Sequence, residues 1–431
     1  MKIAVLLLVL AAPKELPPGL IVPEAARPSP TFSAERATEA YLALLSDEQR
    51  ARSDAYYEGG YWLRLWNLVY LFVVVMILLA TGLSRRMREL AQRVVRKPFL
   101  MTMLYVALWV AVMFVLDLPL TIYTDFVREH QYGLSTQTFG AWLGETLIAL
   151  GLEFLFVPPL VAVMYAAVRR AGARWWIWAG AIVLVTSIFI GIVSPVVISP
   201  LFNDYTPLPP GRVRDEVMSL ARANRIPADD VYVVDQSRQT TRISANVQGL
   251  FGTTRISLND NLLERTSLEE IRLVMAHEMG HYVLHHPQRL LIYSTLLITL
   301  AFFVLHRSLD GAIARWGGRW GIADRGDPAG LPLAVLILAV FMTVMTPVLA
   351  TIVRQVEAEA DAFAINAARE PHGFATAAMR LSTYRKLKPA PLEEVIFYDH
   401  PSGYDRVHRA MTWLAENQSA GRRPQGAGDQ R

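Results

Sequence analysis

Blocks of apolar sequence long enough to cross a lipid bilayer dominate this chain and restrict it to a membrane fold. Hydrophobic residues make up 53% of its 431 residues. Many of them fall in stretches close to the roughly 20 residues that a spanning helix needs. We predict six spanning helices, at residues 61–82, 100–123, 146–168, 176–199, 289–306 and 331–353. The sequence therefore predicts a polytopic membrane protein.

The distribution of positive charge indicates how these helices are oriented. Arginine and lysine cluster at residues 85–97 after the first span and at 169–174 after the third, whereas the stretch after the second span has a single arginine beside acidic residues. Because basic loops favour the cytoplasmic side, we place residues 203–288 and the C-terminal region on the outer face. We expect a bacterial inner-membrane protein with a periplasmic catalytic face. The net charge of +4 is small, and we expect no nucleic-acid partner.

His277 and His281 are four residues apart in a segment that we predict to be helical, with Glu278 between them. Residues four apart share one helix face, so both imidazoles can bind one Zn²⁺ while Glu278 faces the open position of the metal as a general base. Ser267 and Glu270 form a capping-box pattern at the start of this helix. The alternative is a surface helix with two unrelated histidines, but its apolar neighbours would make unpaired imidazoles costly.

A catalytic zinc site needs a third protein ligand. The chain has no cysteine, so this ligand has to be a histidine or a carboxylate. Glu357, directly after the last predicted span, is the best candidate. Asp361 lies one helical turn further on, where it can accept a hydrogen bond from a ligand histidine. A solvated acidic helix start is the alternative, and we assign Glu359, on another face, to that role.

With these motifs the sequence resembles the type I zinc CAAX prenyl proteases, membrane metallopeptidases related to bacterial heat-shock membrane zinc peptidases. The resemblance runs from about residue 60 to 415, and further matching segments are Glu129–Gly133, Pro200–Pro209 and Asp260–Leu263. It implies that Glu357 is the third ligand of one Zn²⁺ per chain. It also implies a mainly α fold, in which a polytopic membrane helix bundle encloses a chamber beside a small α+β zinc-peptidase domain.

One further match implies a substrate-binding strand. Asn246, Val247, Gln248 and Gly249 are similar to the family's edge strand, on which an extended substrate binds by strand addition. Val247 and Gln248 depart from the family's usual alanine and tyrosine, which leaves the subsite preference open.

A second match lies near the C-terminus. His400 and Pro401 with Arg406 resemble a signature in which the histidine reaches the active site to stabilise the oxyanion and the arginine supports the site. Ser402 and Gly403 replace the family's second proline and its apolar neighbour. A polar C-terminal turn is the alternative.

These motifs divide the chain into seven parts. They are a signal-like or retained N-terminal apolar segment, an exposed N-terminal segment that becomes an amphipathic helix, four membrane helices, a catalytic α+β region, two further membrane helices, a second catalytic part and a disordered tail. Their predicted limits are residues 1–20, 21–60, 61–202, 203–288, 289–353, 354–417 and 418–431.

The sequence as a whole predicts a membrane-embedded zinc metalloendopeptidase. The resemblance implies cleavage near the C-termini of prenylated proteins, whereas an outward catalytic face favours general turnover of membrane or envelope proteins. An inactive scaffold or transporter is the alternative from another class, but the intact Glu278 and ligands argue against it. We expect peptide or protein substrates, a lipid bilayer as surroundings, and a monomer.

Other polar residues lie in or beside apolar sequence. Asp117, Glu145 and Glu153 must face protein or water rather than lipid. In a chamber-forming fold they could line the chamber, or they could be paired or protonated between helices. We interpret His285 and His286, which follow the zinc motif, as ordinary interfacial residues.

Overall fold

The computed structural model describes residues 19–249 and 254–420. The predicted signal-like run and residues 421–431 of the predicted tail lie outside this part of the chain. The last helix extends to Ala420, so residues 418–420 are helical rather than disordered.

The N-terminal half of the structure is helical. Its α-helices are α1 (Ala34–Leu42), α2 (Asp47–Ala80), α3 (Leu83–Val94), α4 (Pro98–Thr121), α5 (Arg128–Gln131), α6 (Phe139–Arg170) and α7 (Trp175–Val193). A π-helical turn, Ile122–Val127, joins α4 to α5, and a second one, Ser194–Ile198, extends α7.

The rest of the described chain adds a small sheet and nine more α-helices. The strands are β1 (Tyr205–Pro207), β2 (Val231–Val234), β3 (Ala245–Gln248) and β4 (Arg255–Asn259). The helices are α8 (Arg212–Ala223), α9 (Asp260–Arg265), α10 (Leu268–Val283), α11 (His286–Trp320), α12 (Leu331–Val344), α13 (Thr346–Ala368), α14 (Pro371–Leu381), α15 (Pro391–Phe397) and α16 (Gly403–Ala420).

Among the described residues, five helical segments are long and apolar enough to cross a membrane. They contain α2, α4 with α5, α6, α7 and α11, and each covers one of the first five predicted spans. Large apolar side chains point outward from them, such as Leu155, Val185 and Leu296 with more than 60% of their surface exposed. In water such exposure would be unfavourable, whereas lipid removes the penalty.

The sixth predicted span is bent. Helices α12 and α13 meet at a break with an angle of 54°. Pro347 lies in the first turn of α13, where its missing N–H cannot continue the hydrogen bonding of α12. Because α13 runs on without interruption to Ala368, the predicted limit at residue 353 falls inside a helix. The same helix therefore leaves the membrane bundle and enters the catalytic region.

The four strands form one sheet in the order β1-β2-β4-β3. Strand β2 pairs with β4 in parallel, and β1 and β3 are antiparallel to their neighbours. The sheet packs its buried residues, including Val231, Ile256 and Leu258, against α8, α10, α14 and α16 in one hydrophobic core. Strand β3 is an edge strand, and α10 packs beside it.

The expectation of an exposed segment over residues 21–60 is wrong for α1. Ala37 and Tyr41, one helical turn apart, are fully buried in the core of the catalytic region. The Tyr41 hydroxyl also lies 2.9 Å from Nδ1 of His372 in α14. The apolar face of α1 docks on α16 instead of on a membrane surface, and α2 begins at Asp47, well before the predicted start at residue 61.

The basic loops and the catalytic region lie at opposite ends of the bundle. Arg88 in α3 forms an ion pair of 2.5 Å with Asp327, and Arg169 donates to the carbonyl of Gly326 at 3.3 Å, so the loops near residues 95, 171 and 325 form one end. At the start of α2, the Tyr56 hydroxyl donates to Glu129 at 2.7 Å, beside the catalytic region. Helix α2 has 34 residues and is about 50 Å long, which exceeds the hydrocarbon thickness.

Candidate active site

Helix α10 presents His277, Glu278 and His281. Its start is a complete capping box, because the Ser267 hydroxyl accepts from the amide of Glu270 at 3.3 Å and the Glu270 carboxylate accepts from the amide of Ser267 at 2.7 Å. One turn apart on this helix, Nε2 of His281 lies 3.1 Å from Nε2 of His277. Both imidazoles therefore face the same point.

Helix α13 brings Glu357 to the two histidines. Oε2 of Glu357 is 3.1 Å from Nε2 of His277, and Oε1 is 3.5 Å from Nε2 of His281. The crossing of α10 and α13 is close at Gly280, where an added Cβ would lie 3.0 Å from Cδ1 of Phe363. A larger residue at this position would push the helix with Glu357 away from the helix with the histidines.

The geometry of these three side chains fits a single divalent cation. Their donor atoms all lie within 4.8 Å of one another. Ligands at the bond lengths usual for tetrahedral zinc are separated by about 3.3 Å, and the observed separations are 3.1 to 3.5 Å. Two imidazoles and one carboxylate also form a donor set found in catalytic zinc sites. His277, His281 and Glu357 are thus able to hold a metal ion without rearrangement.

Asp361 and Arg406 fix the orientation of His277. Oδ1 of Asp361 lies 2.9 Å from Nδ1 of His277, and its Oδ2 accepts from Nε of Arg406 at 2.9 Å. Asp361 is 1% and Arg406 6% exposed. With Nδ1 protonated and donating to Asp361, Nε2 of His277 keeps its lone pair for a cation. Nη2 of Arg406 also lies 3.5 Å from Glu357.

His286 belongs to this network, so its interpretation as an ordinary interfacial residue is wrong. Its side chain is fully buried, and its Nδ1 lies 2.9 Å from Nδ1 of His281. Its Nε2 lies 3.2 Å from Glu359, which in turn accepts from Arg289 at 2.5 Å. Glu359, predicted to be merely solvated, therefore contacts His286, the partner of the candidate ligand His281. The helical spacing of residues within α10 did not predict this contact. His286 belongs to the next helix, which begins after His285, a residue in the left-handed backbone conformation.

His400 reaches the same point from the loop between α15 and α16. Its Nε2 lies 3.2 Å from Oε2 of Glu357, and its Nδ1 lies 2.8 Å from Asp399. Arg354 holds this loop by donating to the carbonyl of Tyr398 at 2.6 Å. Ser402, which stands where the family signature has proline, is 3% exposed and accepts from the amide of Asp405 at 3.1 Å. These hydrogen bonds therefore stabilise the loop in place of the second proline of the family signature.

Burial decides the protonation of several of these groups. It raises the pKa of Glu278 to about 7, where the charge of Glu357 also raises it and His277 and Arg406 lower it. Burial lowers the pKa of His281 to about 4, and that of His400 is lowered as well. In the metal-free protein His281 is therefore neutral near pH 7, as a metal ligand must be, and Glu278 exchanges protons in the neutral range.

Strand β3 lies next to these side chains with one edge free. In the described part of the chain β3 pairs only with β4, through Asn246 opposite Ser257 and Val247 opposite Ile256. Oδ1 of Asn246 is buried and has no hydrogen-bond partner there. Gly249 ends the strand at a φ of 130°, which side chains other than glycine rarely allow. A cavity of about 190 Å³ is lined both by Ser244 and Ala245, at the start of the strand, and by His277, Glu278 and His400.

The three carboxylates predicted near the membrane differ in their surroundings. Glu145 accepts from the amides of Gln137 and Gln239 at 2.7 and 2.8 Å, and it lines a second cavity beside the active site. Asp117 is half-buried and Glu153 is exposed on the surface of α6. The structure does not bring these two residues to the active site.

The fold and this site together define a membrane metallopeptidase. Two family models match the chain. Residues 32–204 match the CAAX prenyl protease N-terminal domain with five membrane helices, and residues 207–414 match peptidase family M48. The chain therefore belongs to peptidase family M48, in the group with the CAAX prenyl protease membrane domain. The predicted family, enzyme class and mainly α membrane fold are confirmed.

Several curated proteins are similar to this chain. An uncharacterized metalloprotease, YhfN, of Bacillus subtilis (strain 168) is 29% identical over 78% of this chain and 79% of its own. A CAAX prenyl protease 1 homolog of Oryza sativa subsp. japonica is 29% identical over 68% of each chain. The CAAX prenyl protease 1 of Saccharomyces cerevisiae is 31% identical over 43% of this chain and 41% of its own.

Among solved structures, the crystal structure of S. mikatae Ste24p shares the fold. The TM-score is 0.72, with 23% identity over 90% of this chain and 92% of that chain. The agreement covers both the membrane helices and the catalytic region.

We predict that His286→Ala weakens metal binding by about 10- to 100-fold, because His281 loses the partner that holds its Nδ1 proton and its ring orientation. Metal affinity is to be measured by competition with a chelator on the detergent-purified protein. His285→Asn is the matched control, because His285 is exposed and asparagine tolerates its left-handed backbone. An unchanged affinity in His286→Ala would contradict the role of His286.

Proposed function

We propose that this chain is a zinc endopeptidase in which His277, His281 and Glu357 hold one Zn²⁺. The observation that supports this most strongly is the set of donor separations, 3.1 to 3.5 Å, which suits one tetrahedral ion. Bound zinc would supply Lewis acidity, lowering the pKa of a water and polarising a peptide carbonyl. The remaining chemistry belongs to the side chains and backbone around it.

Glu278 is the proposed general base. It follows ligand His277 on α10 and lines the active-site cavity. With its pKa raised by burial to about 7, its carboxylate accepts a proton from the attacking water more readily than an ordinary glutamate and can pass it to the leaving amine. A bound cation would lower this pKa, so the base stays ionised at neutral pH.

His400 and Arg406 both lie close to Oε2 of Glu357 and are proposed to have different roles there. Nε2 of His400 lies 3.2 Å from Oε2 of Glu357 and His400 lines the active-site cavity, where a protonated ring nitrogen would donate to the developing oxyanion. Asp399, which accepts at Nδ1, raises the pKa of His400 against the larger lowering by burial, and the negative charge of a developing oxyanion would favour the protonated ring further. Arg406 is proposed to fix Asp361 and, through it, His277.

The substrate backbone is proposed to pair with the free edge of β3. An extended peptide that runs antiparallel to Asn246, Val247 and Gln248 would satisfy the open backbone groups of that edge. The unpartnered Oδ1 of Asn246 supports this arrangement, because a buried acceptor without a partner is costly until a donor arrives. Because such pairing uses backbone groups, peptides of many sequences can bind in this way.

We predict that Glu278→Gln lowers kcat for peptide cleavage by at least about 100-fold, because the amide cannot accept the proton from water. Initial rates are to be compared in detergent at saturating substrate and zinc. The matched control is Glu416→Gln, which makes the same change at an exposed position of α16 and should keep the wild-type rate. Normal cleavage by Glu278→Gln would refute the proposed mechanism.

Relatives in organisms as distant as rice and yeast are named CAAX prenyl protease 1 or its homolog, and these names favour prenylated C-termini as substrates of this chain too. General turnover of membrane or envelope proteins is the competing function, and an outward catalytic face favours it.

We predict that the purified enzyme cleaves a farnesylated CAAX peptide faster than its unprenylated twin and faster than a generic unfolded peptide. The prenyl group adds apolar surface worth about 0.8 kcal/mol for each buried CH₂, so the preference should exceed tenfold in kcat/KM. Cleavage is to be followed by mass spectrometry, with Glu278→Gln as the blank. Equal or faster cleavage of the other peptides would favour general turnover.

The proposed orientation places the catalytic region outside the cytoplasm. The basic residues of α3 and of the loop after α6 lie at the end of the bundle opposite to the active site, and the basic end of a membrane protein is usually cytoplasmic. Arg88 and Arg169 also hold the loop after α11 at that end.

We predict that a reporter fused to the C-terminal region, after His400, is non-cytoplasmic in a bacterial host. A periplasm-active phosphatase should then be active and a cytoplasm-dependent fluorescent protein dark, and the same pair fused after residue 96 should give the reverse result. A cytoplasmic C-terminal reporter would overturn the orientation and strengthen the prenylated-substrate function.

A further inference from the structure

A second cavity, of about 670 Å³, lies beside the active-site cavity. Ile243, Ser244, Tyr384 and Arg385 line both cavities, so the two share a wall. The walls of the larger cavity also include three arginines from separate parts of the chain, Arg64 in α2, Arg242 before β3 and Arg385 after α14. We refer to it as the arginine cavity.

The carboxylates in the walls of the arginine cavity already have partners. Glu145 accepts from Gln137 and Gln239, and Asp399 lies 2.8 Å from Nδ1 of His400. Arg242 is likewise engaged, with Glu129 at 2.7 Å. Arg64 and Arg385 are therefore the two arginines of this cavity that could bind a ligand.

Arg64 and Arg385 are not paired with acidic groups. Among residues 19–249 and 254–420, no carboxylate lies within 4.0 Å of either guanidinium. Arg64 is exposed and lies 6.0 Å from the ring of Phe397, and Arg385 is half-buried. Guanidinium groups bind carboxylates with paired, charge-assisted hydrogen bonds. The arginine cavity therefore suits an anionic group with the geometry of a carboxylate.

The direction of a bound peptide points its C-terminus at this cavity. Strand β3 runs from Ala245 to Gln248, and a peptide antiparallel to it runs the opposite way. The residues that follow the cleaved bond then approach the beginning of β3. Ser244 and Ile243, immediately before that strand, are the residues that the arginine cavity shares with the active site.

We propose that the arginine cavity is the subsite for the free C-terminal carboxylate of the substrate, held by Arg385 and Arg64. The enzyme then cuts a short distance before the end of a chain, and the carboxylate sets the position of the cut. This subsite rests on the proposed endopeptidase function and on strand addition to β3. An acidic side chain offers the same chemistry, so the test separates the two sources.

The test compares three peptides that share one sequence up to the last residue, with the full-length, zinc-loaded enzyme in detergent. One peptide has a free C-terminal carboxylate, one a C-terminal amide, and one an amide with glutamate as its last residue. We expect kcat/KM for the free acid to exceed that for the simple amide by at least about tenfold, because hydrogen bonds to charged groups are the stronger ones. The glutamate peptide should behave as the simple amide does.

The variants test which residues bind the C-terminal carboxylate of the substrate. Arg385→Gln and Arg64→Gln should each reduce the acid-to-amide ratio of kcat/KM several-fold, and Arg385→Lys should keep most of it. Arg212→Gln, at an exposed position of α8 away from both cavities, removes the same charge and should leave the ratio unchanged. A ratio, rather than a rate, separates loss of recognition from a general loss of activity.

Four results would contradict the proposal, and each leads to a different conclusion. Equal cleavage of acid and amide by the wild type would refute the subsite while leaving the endopeptidase function intact. If the glutamate peptide is cleaved as fast as the free acid, the cavity binds acidic side chains. This result would also refute the assignment of the cavity to the C-terminal carboxylate. An unchanged ratio in both glutamine variants would exclude these arginines. No cleavage of any peptide would refute the proposed function together with the subsite.

Discussion

The close crossing of α10 and α13 is the contact on which the rest of the site depends. Gly280 lets the two helices approach until Phe363 nearly touches the backbone of α10, and only at this separation does Glu357 reach both histidines. Asp361, one turn beyond Glu357, is buried and would be costly there without Arg406 and His277. The ligand set and its supporting charges thus form one unit, in which each buried group satisfies another.

This unit connects the membrane bundle to the catalytic region. Helix α13 begins at the bend after α12 and ends in the core beside α14, so the proposed third ligand, Glu357, lies on a continuous helix that starts among the spanning segments. At the other side, α2 extends beyond the bilayer and reaches the catalytic region through Tyr56, while Arg64 of the same helix enters the arginine cavity. The bundle therefore contributes to the site as well as holding it at the membrane.

The arrangement is also consistent with the proposed recognition of the substrate through its backbone. Strand β3 offers an open edge, and the neighbouring active-site cavity is small, about 190 Å³. In the proposed binding mode, selectivity comes from the two ends of the bound segment, where an apolar prenyl group and an anionic terminus differ most from an internal stretch of peptide. The two peptide comparisons examine these two ends separately.

The local sequence determined the features that depend on short-range periodicity. Apolar runs identified the spans, because a helix must present about 20 apolar residues to lipid, and the spacing of His277 and His281 placed them on one helix face, because 3.6 residues make a turn. Glu357 by spacing alone had an equal alternative, and the family resemblance was needed to favour it. Tertiary structure decided the burial of α1, the bend at Met345, the contact of His286 with His281 and the grouping of Arg64 with Arg385. These features join residues far apart in the chain or across a turn, where no repeat in the sequence records which surfaces meet.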